Sequence, residues 1–192
     1  MPSMIARFAG ALVALVVCLS AAHAAERSET TAAAFAFDGL EGGKIRLAAY
    51  VGKPVLVVNT ASRCGFAGQL GDLGELWARY RDRGLAVIAV PSDDFRQEPG
   101  DAATIRRSAE SHNATFPFAA KQHVTGGDAH PFYRWAARSS PDGAPRWNFH
   151  KYLIGADGGV VASFGPSTKP TDPKVVAAIE RELNAAGAVS VR

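Results

Sequence analysis

The chain has 192 residues, 47% of them hydrophobic and 20% charged, a composition that fits one soluble globular domain with a leader to spare. The formal net charge is +3, and Arg7 is the one charged residue ahead of Glu26, so the chain beyond residue 24 carries +2. So small an excess gives no argument for nucleic-acid binding.

Arg7 is followed by an uncharged run, Phe8 to Ala22, that includes Leu12, Val13, Leu15, Val16, Val17 and Leu19, and then by Ala22-His23-Ala24. Basic, apolar and small residues in that order read as a secretory signal cut after Ala24. The apolar core is short for a membrane span, and Val17 ahead of Cys18 argues against lipidation. The expected division is residues 1–24 as signal peptide, 25–34 as flexible linker and 35–192 as the folded domain. The expected location is periplasmic or secreted, with no stable membrane insertion after cleavage. Of the two cysteines, cleavage removes Cys18 and leaves Cys64, so the mature chain can form no internal disulfide.

Phe35-Ala36-Phe37 and Lys44-Ile45-Arg46-Leu47, separated by Asp38-Gly39 and Gly42-Gly43, predict a hairpin of short strands. Val55-Leu56-Val57-Val58 is a β-branched run too short for a helix and predicts a strand buried on both faces. Leu70, Leu73, Leu76, Trp77 and Tyr80 recur at helical spacing until Gly84, and Leu85 to Val90 predicts a second buried strand. Strand, helix, strand over this span is a βαβ unit with a right-handed crossover. A loop is expected from Pro91 to Gly100, a helix from Asp101 to about Asn113, an extended Thr115–Phe118 and a short helix from His130 to Arg138. Phe149–Ile154 and Val160–Phe164 flank Asp157-Gly158-Gly159 as a second hairpin. Asp172 as N-cap and Pro173 at the first position start a last helix through Val175, Val176, Ile179 and Leu183.

Cys64 therefore falls at the carboxyl end of a core strand, where open α/β sheets place their sites, and ahead of a helix whose unpaired amides and dipole favour a thiolate. Position alone fits a buried structural cysteine equally well. The four histidines beyond the leader, His112, His123, His130 and His150, show no zinc-ligand spacing with one another or with Cys64. No metal site is expected, and those histidines are read as surface or capping residues.

Three blocks favour a functional cysteine. Asn59-Thr60-Ala61-Ser62-Arg63-Cys64-Gly65-Phe66, then Pro91-Ser92-Asp93-Asp94-Phe95-Arg96-Gln97-Glu98-Pro99-Gly100, then Trp147-Asn148-Phe149-His150-Lys151-Tyr152-Leu153 resemble, in order and distance, the three motifs of the glutathione peroxidases. Smaller echoes are Thr115-Phe116-Pro117, His130-Pro131-Phe132-Tyr133 and Thr168-Lys169-Pro170. The resemblance runs from about Phe35 to Leu183. It implies an α/β, thioredoxin-like fold, a central mixed sheet flanked by helices with an extra N-terminal β-hairpin. It implies a thiol-dependent peroxidase for hydrogen peroxide or organic hydroperoxides, with a catalytic tetrad of Cys64, Gln97, Trp147 and Asn148. Gln and Asn amides and the Trp indole are neutral donors that can hydrogen-bond a thiolate without neutralising it. No prosthetic cofactor is implied; the co-substrate is an external thiol, glutathione or a thiol protein.

The chain departs from the family pattern in four places. A single Arg96 stands where relatives carry two residues, which bears on the reach of Gln97. Asp93 replaces an asparagine. Ala67-Gly68 replaces Thr-Pro, which predicts a looser first helical turn. The stretch Arg106–Asn113, where many non-animal members carry a resolving cysteine, has none. The short connection from His130 to Trp147 implies a monomer or weak dimer. Among other thioredoxin-like activities, a disulfide oxidoreductase needs a Cys-x-x-Cys that Gly65 to Ala67 do not supply, and Val57 stands where a peroxiredoxin has proline. An exported redox sensor or thiol-binding protein without steady-state turnover is the remaining alternative.

Overall fold

The computed structural model describes residues 30–190, and the expected signal segment lies outside them. From Thr31 onward the chain forms one compact unit. Residues 32–34, assigned to the linker from the sequence, make a 3-10 turn in which Ala32 is buried and its amide donates to Gly158 O at 2.9 Å. A small residue can pack where a longer polar one would have stayed in water.

Ala36–Asp38 (β1) and Lys44–Arg46 (β2) pair antiparallel as the expected hairpin. Gly42 and Gly43 take positive φ in its turn, which side chains with a Cβ rarely tolerate. The central sheet has four strands, Val55–Thr60 (β3), Ala86–Pro91 (β4), Lys151–Ile154 (β5) and Val160–Phe164 (β6), in the order β4-β3-β5-β6. β3 runs parallel to β4, with Val55 opposite Ala86, and antiparallel to β5, with Val58 opposite Lys151. β5 and β6 are antiparallel. The helices are Gln69–Tyr80 (α1), Ala102–Ser111 (α2), Pro131–Ser139 (α3) and Pro173–Ser190 (α4).

The alternation of β3 explains the layering. Leu56 and Val58 face a core made with Leu70, Leu73 and Leu76 of α1 and Val175 and Ile179 of α4. Val55 and Val57 face the other, made with Phe37 of the hairpin and Phe132, Tyr133 and Trp135 of α3. Every residue of β3 and β4 is buried. Burying each Val, Leu or Ile contributes on the order of 1.5–3 kcal/mol, so the middle of the sheet is its most strongly held part. This is the thioredoxin-like arrangement that the resemblance implies: a mixed sheet flanked by helices, with an added N-terminal hairpin.

The Thr115–Phe118 segment, expected to be extended, forms no strand and bends at Phe116; it joins the sheet through one bridge, Ala89 to Phe118, with Pro117 unable to donate to a ladder. The strand expected from Phe149 starts only at Lys151, because Phe149 has a left-handed backbone, φ 63°.

Candidate active site

Cys64 sits past the end of β3, in a run of tight turns rather than on the helix itself. Its amide donates to Ala61 O at 3.3 Å, and its carbonyl accepts from Ala67 N at 2.8 Å. α1 starts at Gln69 behind Gly68, which has no side chain to cap it. In place of the looser entry expected from Ala67-Gly68, the backbone makes a tight one: Gly68 has helical angles, and Gln69 N and Leu70 N donate to Phe66 O and Ala67 O at 2.8 and 3.0 Å. Cys64 is buried, 6% exposed, and its sulfur accepts a hydrogen bond from the Phe66 amide at 3.4 Å. Arg63 is exposed.

Gln97 reaches this turn despite the short loop. Arg96 takes a left-handed backbone, φ 57°, and its amide closes a turn on Asp93 O at 2.8 Å, so one residue reverses the chain. Gln97 O then accepts from Arg63 N at 3.0 Å, one residue from the cysteine. Its side-chain Oε1 accepts from Asn148 Nδ2 at 3.0 Å. Glu98, 2% exposed, places Oε1 on Ser62 Oγ at 2.6 Å and Oε2 on Ser62 N at 2.7 Å. Earlier in the same loop, Asp94 accepts from His123 Nδ1 and from the amides of Val124 and Thr125. Burial alone would raise the Asp94 carboxyl, but those hydrogen bonds outweigh it and hold it below its usual range.

Trp147 and Asn148 precede β5. Asn148 is fully buried, and its Oδ1 has no partner. Trp147 is 40% exposed, with its ring 5.5 Å from that of Phe95 on the Gln97 loop. Asn59 holds this arm. Its Nδ2 donates to Trp147 O at 3.1 Å, its Oδ1 accepts from His150 N at 3.1 Å, and its carbonyl accepts from Phe149 N at 2.6 Å. Lys151, fully buried, donates to Phe149 O at 2.7 Å and to Gly165 O at 3.4 Å. Burial pushes its ammonium down to about 7, partly offset by the Asp72 carboxylate of α1. Gln69 ties the start of α1 to the same loop, its Nε2 donating to Pro166 O at 2.7 Å.

The structure thus brings Gln97 and Asn148 into direct contact, sets Trp147 on the Gln97 loop and pins that loop beside Cys64. Among the described residues, none of the three neutral donors hydrogen-bonds the sulfur itself; Phe66 N does. A groove of about 310 Å³ lined by Phe66, Gln69, Asp72, Ser167 and Lys169 opens beside the Cys64 turn. Among the described residues no group of three or more His, Cys, Asp or Glu is placed to hold a metal ion.

His150 corrects one expectation. It is buried against Tyr152, ring centroids 4.6 Å apart, and not at the surface; burial pushes it down to about 4. His130 does cap α3, accepting from Phe132 N at 3.2 Å. Asn59, Ser62, Glu98 and Lys151 received no role from the sequence. The signal available was polarity out of place: an asparagine closing an apolar strand, and a lysine opening another.

A family profile described as glutathione peroxidase matches residues 33–137, ending ahead of Trp147. The hydroperoxy fatty acid reductase gpx1 of Synechocystis sp. is 36% identical over 168 residues, covering 82% of this chain and 98% of that protein. The crystal structure of Trgpx in its apo form superposes with a TM-score of 0.66 at 30% identity, covering 81% of this chain and 97% of that one. A thioredoxin-family thiol:disulfide interchange protein from Chlorobium tepidum shares the fold at 17% identity, TM-score 0.61, over 83% of this chain and 99% of that one.

Proposed function

The chain belongs to the glutathione peroxidase family and is a peroxidase, and from that premise we propose that it reduces hydrogen peroxide or organic hydroperoxides with an external thiol through Cys64. The Cys64 thiolate attacks one peroxide oxygen. The O–O bond breaks, the other oxygen leaves as hydroxide or alkoxide and takes up a proton, and the sulfur becomes a sulfenic acid. A first thiol attacks that sulfur, releases water and leaves a mixed disulfide. A second thiol attacks the mixed disulfide, leaves as the oxidised pair and returns Cys64 to its thiolate.

Gln97, Trp147 and Asn148 supply neutral N–H groups around the thiolate and the oxygen on which charge develops. The observation that carries this reading is the Gln97–Asn148 amide contact on a loop whose backbone is bonded to the residue before Cys64. With no second cysteine in the chain beyond Cys18, the reductant is intermolecular. Exposed Phe66 and Trp147 suit a substrate with an apolar tail, and fatty-acid hydroperoxides, the class named for the Synechocystis relative, fit that description. The leader-like residues 1–24 support export to the periplasm or outside the cell, and the short connection ahead of Trp147 supports a monomer or weak dimer.

Steady-state peroxide consumption with glutathione, other small thiols or a reduced thiol protein tests this reading. The full chain should turn over many times with at least one of them, and Cys64→Ser should not. Equal consumption by both would sink it, and consumption of a single equivalent would favour the sensor.

A further inference from the structure

The geometry points to Glu98 as a positioning residue that sets Gln97 against Cys64 through a clamp on Ser62; this rests on the tetrad reading above. Glu98 is 2% exposed, and each of its polar groups is engaged. The carboxylate takes the amide and the hydroxyl of Ser62 at 2.7 and 2.6 Å. The backbone N–H donates to Asp93 Oδ1 at 2.8 Å, and the carbonyl accepts from Lys121 Nζ at 2.9 Å.

Burying a carboxylate is costly unless donors replace its water. Here both donors belong to one residue, two positions ahead of Cys64. The neighbouring bond from Arg63 N to Gln97 O runs between the same two segments. Bonds 62–98 and 63–97 therefore fix two short segments in one register. Neither segment lies in the sheet at that point: β3 ends at Thr60, β4 at Pro91. Without the clamp, one backbone bond would hold the Gln97 loop to the Cys64 turn. Charge-assisted bonds of this length are the stronger kind, and a site held within about 0.5 Å needs such support from its surroundings. Asp93, within the loop, and Lys121, from outside it, in turn fix the Glu98 backbone.

Glu98→Gln keeps the shape but removes the charge: with its oxygen kept on Ser62 N, its NH2 faces Ser62 Oγ, which must turn from donor to acceptor, so both charge-assisted bonds become neutral ones and one reverses direction. The test measures two rates in the full chain: oxidation of Cys64 by hydrogen peroxide, and the return of the oxidised form by thiol. The variants are Glu98→Gln, Gln97→Ala and the double, with Ser62→Ala as a milder version that loses only the hydroxyl bond. Glu98→Gln should slow oxidation about tenfold, and Ser62→Ala about threefold, with the rate of return by thiol changed less than about twofold. In the Gln97→Ala background the same change should cost less than about twofold, because there is no longer an amide to place. An equal loss with and without Gln97 would overturn the proposal, since a merely structural role predicts that independence. No loss in either Glu98→Gln or Ser62→Ala would also overturn it. Gln97→Ala matching wild type would instead remove the role that Glu98 is said to serve.

Discussion

Replacing Lys151 with methionine should change how stability responds to pH. In the fold burial holds the Lys151 ammonium down to about 7, against an ordinary value of 10.5. Between those values the unfolded chain binds a proton that the folded chain does not, so stability rises with pH across that window. Below pH 7 both states are protonated, and the cost of the buried charge is present in full. Each unit of separation corresponds to about 1.4 kcal/mol, so the whole window is worth roughly 5 kcal/mol. Methionine has no such term, but it leaves the Phe149 carbonyl without the donor that Lys151 provides at 2.7 Å, a loss of about 1–3 kcal/mol at every pH. His150 and the tyrosines titrate equally in both proteins and cancel in the difference. Urea unfolding of wild type and Lys151→Met at pH 7, 8, 9 and 10 should give a wild-type advantage that grows by roughly 4 kcal/mol across the series. A difference that stays flat would refute the reasoning, because the ammonium would then be as well solvated in the fold as outside it.

Two other changes probe the arm and the donors. Asn59→Asp keeps the acceptor for His150 N but sets an acceptor against Trp147 O in a fully buried position; it should cost about 2–4 kcal/mol. That should lower the melting temperature by roughly 5–15 °C in a calorimetric scan; a shift under about 2 °C would contradict the assigned bonds. Gln97→Ala should slow Cys64 oxidation by about tenfold or more in stopped-flow mixing with hydrogen peroxide, and, by leaving the buried Asn148 Nδ2 without its acceptor, lower the unfolding midpoint by about 2–12 °C. An unchanged rate would remove Gln97 from the reaction.

Local pattern revealed the parts of the fold that local physics governs. The β-branched run at Val55–Val58 has to bury both faces, and it does. Asp172-Pro173 marks the start of the last helix because a side-chain acceptor and a fixed φ both suit that position; Asp172 Oδ1 indeed takes Lys174 N at 2.9 Å. Cys64 was legible from its place between strand and helix, and from the motif around it. The supports of the site were not. The Asn59 bonds to Trp147 and His150, and the Ser62–Glu98 clamp, join residues far apart in the chain, and no periodicity encodes them. The reach of Gln97 depended on one backbone angle, the left-handed Arg96, in a residue type that gives no warning of it. His150 looked like a surface or capping residue because a lone polar ring usually is one; here it is buried against the Tyr152 ring.

Oxidation of Cys64 itself is the most direct test. The reduced full chain, mixed with one equivalent of hydrogen peroxide and a sulfenic-acid trapping reagent, is digested and its Cys64 peptide examined by mass spectrometry. The account predicts one trapping-reagent adduct at Cys64, absent when thiol is added first, and peroxide loss that disappears in Cys64→Ser. A Cys64 peptide that stays reduced while peroxide is consumed would contradict it.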